Sequence, residues 1–327
     1  MTNLLAKVLR AHDEPHIYVE DATVHRALTA APADYLAYVG NWLTLLADGR
    51  ATLELPPKWI WTDAVTLDGG DFRVMPCVVR HGAQVIKTVK LVGTNRRQRE
   101  VPDQITVGKA FHLHPQENFI THIFDACLLS SARTGLCAAL ALQRLAPVRR
   151  RVTVIGAGRV GYYAALYTTA LGGVDEVVFR DAQPERARVA AAAFTGTRCR
   201  VETVEEPVDC DALILATTAQ TPFCKPATTK AAVVISLGAD TEEQHELSPD
   251  WPCVADVYVD GADCRRVGDV RAWLAAGLVV ERDLTDLLGL WRDGPRPVTG
   301  RTRIFISTGS ALLDNLTIGY LLEHASA

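Results

Sequence analysis

Gly156, Gly158 and Gly161 follow the β-branched run Val152–Ile155 at G-x-G-x-x-G spacing. In that setting each glycine has a mechanical use. Gly156 permits a tight turn off a buried strand. Gly158 lets a pyrophosphate approach the backbone, and Gly161 lets the next helix pack close to the sheet. The N–H groups that open this helix, with its dipole, favour negative charge at the same point. Ala157, Arg159 and Val160 complete the loop as residues bordering a bound dinucleotide. Asp181 follows the next apolar run, Glu176–Phe179, where a carboxylate accepts hydrogen bonds from an adenosine ribose. It falls slightly beyond the usual spacing of about 20 residues. A carboxylate there repels a 2′-phosphate, so NAD is favoured over NADP. Arg180 blurs that reading, but alternation along a strand turns Arg180 and Asp181 to opposite sides. A ligand-free glycine-rich turn remains the plain alternative. The ordered sequence of strand, loop, helix, second strand and acid argues for the nucleotide.

Positioning these residues requires a doubly wound sheet, and from Arg151 onward strand and helix patterns alternate as one demands. Later strands are read at Ala212–Thr218, Ala232–Gly238 and Val254–Val259, and Arg303–Asp314 reads as a strand running into a helix. Upstream, Pro32–Leu46 is amphipathic at helical spacing. Between 51 and 125 the pattern changes to short apolar pieces broken by turn signals: Ala51–Leu55, Lys58–Trp61, the turn Asp68–Asp71, then Phe72–Arg80, Gln84–Gly93 and Ile105–Leu113. Such spacing predicts an antiparallel or mixed sheet. Asp125–Leu145 returns to helix, and Pro147 stops it. The expected fold is therefore α/β, a Rossmann doubly wound parallel sheet with an N-terminal α+β domain completed by the C-terminal helix. The boundaries are 1–128 with 305–327, and 129–304.

Length and composition set bounds. A chain of 327 residues that is 48% hydrophobic supports two domains with a sizeable core. A net charge of −4 gives no bulk basic field, so nucleic acid is not expected as a partner. No uninterrupted apolar run reaches about 18 residues, so no membrane span is expected. The first residues lack a signal-peptide pattern. The eight cysteines are dispersed and none forms C-x-x-C, which suits reduced thiols in a cytoplasm rather than disulfides or structural zinc.

Three further segments, taken in order, resemble the ornithine cyclodeaminase/mu-crystallin family. They are Met75-Pro76 with Val89–Val92 and Asn95, then Ser131–Ala146, then Leu237–Leu247; Ile306–Asp314 also fits. The most discriminating piece is Arg133-Thr134 ahead of the nucleotide strand. The resemblance covers most of the chain from about residue 40. It implies an N-terminal domain that binds substrate and forms a homodimer through its sheet, with a small amino acid, 2-oxo acid or imino acid as the substrate. Lys90 corresponds to the lysine that contacts the substrate carboxylate and acts near the Cα nitrogen. Arg133 corresponds to the arginine that clamps that carboxylate, and Asp240 to the aspartate that handles protons at the substrate nitrogen. Met75 is implied at the substrate, and Thr217, Thr218, Gly238 and Gly309 at the cofactor. There are two departures. Lys58 stands where an arginine is usual after a proline, and lysine lacks the planar fork that grips a carboxylate. The segments His114–Ile120 and Leu129–Ala132 differ from the usual threonine-rich pattern, which bears on the substrate more than on the chemistry.

The same residues also make chemical sense directly. Removing hydride from an amino acid Cα needs a cation to hold the carboxylate, and guanidinium matches carboxylate geometry, which suits Arg133. It needs a base for the ammonium proton, and Asp240 lies beyond the carboxyl end of a strand, where sites form in α/β sheets. Lys90 would stabilise negative charge or polarise a carbonyl oxygen. Each has a structural alternative: an ion pair for Arg133, a helix cap for Asp240, and a solvent-facing strand position for Lys90. The expected activity is thus an NAD-dependent oxidoreductase acting on the Cα–N bond of an L-amino acid or its imine. The alternatives are a cyclodeaminase with catalytic NAD, a synthase joining two amino-acid fragments, and a non-catalytic nucleotide-dependent binder. No metal is expected, since His112, His114 and His122 offer no clear third ligand. Arg96, Arg97 and Arg99 form either an exposed charged loop or a contact to an extra anionic group of the substrate.

Overall fold

The computed structural model describes residues 7–10, 12–62, 70–194, 196–239, 241–297 and 300–325. Asp240, and Asp68 and Gly69 of the expected turn, lie outside the described residues. The first sheet is built from β1 (Ile17–Val19), β2 (Thr52–Glu54), β3 (Trp59–Thr62), β4 (Asp71–His81), β5 (Gln84–Thr94), β6 (Thr106–Leu113) and β7 (Ile120–Asp125). Their order is β1-β7-β6-β5-β4-β2, with β3 also on β4. The pairs are antiparallel except β1 with β7, so the sheet is mixed. Alternation along β4 buries Arg73, Met75, Cys77 and Val79 on one face. Its register with β5 sets Met75 opposite Lys90. Helices α1 (Asp21–Ala30) and α2 (Pro32–Ala47) precede β2, and α2 buries Tyr35, Leu36, Val39, Trp42 and Leu43 at helical spacing.

Helix α3 (Ala126–Leu145) leads out of this sheet and is buried around almost its whole circumference. By length and composition it is apolar enough to cross a membrane. Its position accounts for that composition, because it touches α4 (Arg159–Ala170) and strands of both sheets. The second sheet follows: β8 (Arg151–Ile155), β9 (Glu176–Arg180), β10 (Arg198–Val201), β12 (Ala212–Leu215), β14 (Val233–Ser236), β15 (Ala255–Val259), β16 (Thr285–Asp286) and β17 (Thr302–Ile306), while β11 (Val208–Asp209) pairs separately with β13 (Thr229–Lys230). Its order is β10-β9-β8-β12-β14-β17-β15-β16 and every pair is parallel. The connection reverses direction between β8 and β12, which opens a crevice at their carboxyl ends.

Two boundaries read from the sequence fall inside elements. Residue 128 lies within α3, and residue 304 within β17. The chain crosses back at Ser307–Ser310, and the last helix, α9 (Ala311–His324, after α5–α8 at Pro184–Ala192, Trp251–Val254, Gly268–Ala275 and Leu287–Asp293), packs on β4 and β5. Asn315 fastens it there: its Nδ2 donates to the carbonyls of Cys77 (3.0 Å) and Ile86 (2.9 Å) and to Thr88 Oγ1 (2.9 Å). All eight cysteines are free thiols.

Candidate active site

One cleft of about 1610 Å³ runs along the carboxyl edge of the second sheet, from Asp181 past the glycine loop to Lys90 and Arg133. At its nucleotide end Gly156 turns off β8 with φ +97, and a Cβ there would meet the Ala216 carbonyl oxygen at 2.3 Å, so only glycine closes this turn. A Cβ on Gly158 would meet nothing beyond its chain neighbours within 4 Å, and no side chain caps the start of α4. This cradle fits a pyrophosphate. Asp181 accepts hydrogen bonds from the backbone N–H of Ala157 and of Gln183, both at 2.8 Å, which aims its carboxylate along the cleft wall. Arg180 points the other way, buried against Glu202 and the carbonyls of Glu206 and Pro207. Arg159, Val160, Thr217, Thr218, Gly238 and Gly309 line the same cleft.

At the other end β5, α3 and α9 bring three charges together. Lys90 Nζ lies 2.6 Å from the Asp314 carboxylate and 3.3 Å from Ser130 Oγ. Arg133 Nε donates to Asp314 Oδ1 at 2.8 Å. Arg133 Nη1 is buried and has no hydrogen-bond partner, and the guanidinium packs against Gly309, where a Cβ would stand 3.0 Å from Nη2 and 3.3 Å from Nη1. Burial pushes the Lys90 ammonium down to about 7, against the opposing pull of Asp314. Burial alone would raise the Asp314 carboxyl, but Arg133 and Lys90 hold it below its ordinary value. The arrangement suits an anion: a carboxylate fixes Arg133 Nε while Nη1 stays unsatisfied in a residue that lines the cleft. Met75 forms the apolar wall beside it.

Most of the residues singled out in the sequence meet here, but Lys58 does not reach the cleft wall. Its Nζ donates to the carbonyls of Thr308 (2.9 Å) and Gly309 (2.7 Å), so it braces the crossover loop from behind. Burial lowers its affinity for a proton, and Asp260 opposes that. Asp240 lies outside the described residues, although Thr241 and Gln244 line the cleft. Two features escaped the sequence reading. One is the role of Asp314, which the sequence reading named only as the end of the segment Ile306–Asp314 that fits the family. The other is Asp71 with Arg73 at the outer end of the cleft: Arg73 Nε and Nη2 donate to Asp71 Oδ2 at 2.8 and 2.6 Å, and Thr94 donates to the other oxygen. Arg96 also lines the cleft and pairs with Glu243 at 2.9 Å.

A parallel sheet with a glycine loop at its reversal point is the architecture of dinucleotide-binding proteins. The chain belongs to the ornithine cyclodeaminase/mu-crystallin family, whose match spans residues 20–327. Solved structures agree in fold. An archaeal alanine dehydrogenase dimer with bound NAD matches with a TM-score of 0.81 at 20% identity, over 95% of this chain and 96% of that one. The Delta(1)-pyrroline-2-carboxylate reductase of Thermococcus litoralis, in complex with NADH and L-proline, matches at 0.79 and 18% identity, over 94% and 98%. A lysine cyclodeaminase, described with L-lysine, L-ornithine and L-2,4-diaminobutyric acid, matches at 0.78 and 21% identity, over 95% and 93%. No curated protein matches the chain by sequence.

Proposed function

We propose that this protein is an NAD-dependent oxidoreductase acting on the Cα–N bond of an L-amino acid or its imine. The observation that carries this reading is Arg133 in the lining of the cleft that begins at the glycine loop, its Nε held by Asp314 and its Nη1 without a partner. NAD, when bound, supplies the hydride acceptor or donor. The glycine loop and Asp181 would hold its pyrophosphate and adenosine ribose, leaving its other half toward Arg133. Arg133 grips the substrate carboxylate, Lys90 adds charge beside it, and Met75 excludes water from one side. Asp240 is assigned the proton at the substrate nitrogen on the family resemblance and on its place in the sequence beyond the carboxyl end of a strand.

A cyclodeaminase shares every part of this site but must also receive a distal ammonium. Among the described residues, Asp71 and Asp103 are carboxylates lining the cleft beyond its nucleotide end, and both oxygens of Asp71 are engaged by Arg73 and Thr94. The wider reading includes a homodimer, supported by exposed Trp59 and Trp61 on the outer strand β3, and a reducing compartment such as the cytoplasm, supported by the free thiols.

The test is a panel of amino acids and 2-oxo acids with ammonia, followed for NADH and ammonia together. A dehydrogenase gives stoichiometric NADH, a cyclodeaminase releases ammonia without it, and a binder turns over nothing. Arg133→Ala is expected to lower kcat/KM about a hundredfold or more, the worth of a charge-assisted pair. Asp240→Asn is expected to lower kcat with little change in KM. Full activity in both variants rejects the assignment.

A further inference from the structure

We infer that Glu246 is a positioning residue for the nicotinamide half of the cofactor, because its buried carboxylate ties together the two loops that border that half. This rests on the dinucleotide reading above. Across the carboxyl edge of the second sheet the order is β9, β8, β12, β14. Asp181 follows β9 and the glycine loop follows β8, so the adenosine and pyrophosphate lie at those strands. The remaining half must lie over the ends of β12 and β14, on the way to Arg133. Thr217 and Gly238 line the cleft at these two ends.

Glu246 is fully buried beneath them. Oε1 accepts from Thr217 N (2.7 Å) and Thr217 Oγ1 (2.8 Å), and Oε2 accepts from Ser236 Oγ (2.7 Å) and Gly238 N (3.0 Å). One carboxylate thus holds both loops through four donors. The loops could not approach otherwise, since a Cβ on Gly238 would stand 2.0 Å from the Thr217 carbonyl oxygen and 2.5 Å from Glu246 Oε1. The backbone of Glu246 is itself anchored. Its N–H donates to Asp269 at 3.1 Å, and its carbonyl accepts from Cys224 N at 3.0 Å. Among the described residues no cation pairs with the Glu246 carboxylate, and burial raises its affinity for a proton against the four donors. A buried, unpaired charge of this kind is a poor way to gain stability, since apolar packing of the same volume does as well. Fixing two polar loops in one geometry is what an acceptor with four sites does well.

The experiment compares NADH with ADP-ribose, which shares the adenosine and pyrophosphate but lacks the nicotinamide, in equilibrium binding to the full chain. In Glu246→Gln, an N–H₂ group confronts donors. The NADH Kd should rise about tenfold or more, the value of one charge-assisted hydrogen bond, while ADP-ribose stays within about twofold. Ser236→Ala removes one of the four donors and adds nothing. It should give a smaller loss of the same selectivity, and it carries the test if the first variant does not fold. Equal losses for both ligands, or none for either, overturn the inference. A wild-type protein that binds neither ligand overturns the dinucleotide reading itself.

Discussion

Lys90 is set to change charge where most lysines do not. Its ordinary value is 10.5, and burial brings it down to about 7. Below that point it is an ammonium that adds to the Arg133 grip, and above it the grip weakens. The KM for a carboxylate substrate is therefore expected to stay flat below about pH 7 and to climb above it, with kcat less affected. Lys90→Met should show a raised KM without that step, and a step of the same position in the variant would assign the titration to another group. Stability moves the other way from substrate grip. Because the folded value is depressed, the folded state is penalised fully below about 7, and the penalty is relieved as pH rises toward 10.5. For Asp314 the same downward shift is stabilising rather than penalising. Its value is held down in the fold, so its contribution is present above the ordinary carboxylate value and lost as pH falls through the depressed one. Lys90 and Arg133 were legible because the segments that carry them resemble the family's and because a substrate carboxylate needs a cation. Asp314, the partner, stood in the sequence as one acid in a distant helix, and only the return of the chain end gives it meaning.

At the scale of elements, the glycine loop offers a contrast between space that is filled and space that is open. Gly156→Ala drives a Cβ into the Ala216 carbonyl at a left-handed φ, and is expected to destabilise the protein by about 2 kcal/mol or more, with a lowered Tm. A Cβ on residue 158 has no neighbour within 4 Å, so the Tm of Gly158→Ala should stay near the wild type while NADH affinity falls about tenfold or more. Loss of fold in the second variant, or full NADH affinity, would contradict the cradle. The unit β8–α4–β9 was readable because its pieces are consecutive and its period is local. Strands β1, β7 and β10 were not, since three to six residues of mixed polarity carry little pattern, and β1 finds its parallel partner about a hundred residues away. The place of β17 between β14 and β15 is likewise set by packing rather than by any local signal.

Over the whole molecule, the nucleotide sheet and the N-terminal sheet meet through α3 and through the returning α9. The candidate site exists only because both connections hold. Lys90 comes from the first sheet, Arg133 from the linking helix and Asp314 from the returning one. Asn315, the next residue, fastens α9 to β4 and β5 through three buried acceptors. Asn315→Ala removes the amide these acceptors share and should cost about 1 to 3 kcal/mol of stability. It should also let Asp314 drift from Arg133 and Lys90, raising the substrate KM, while NADH binding at the far end of the cleft stays unchanged. Thermal melting, NADH titration and substrate kinetics on one preparation separate these effects. A variant that lost NADH affinity together with substrate affinity would mean that the two ends of the cleft do not depend separately on the two connections.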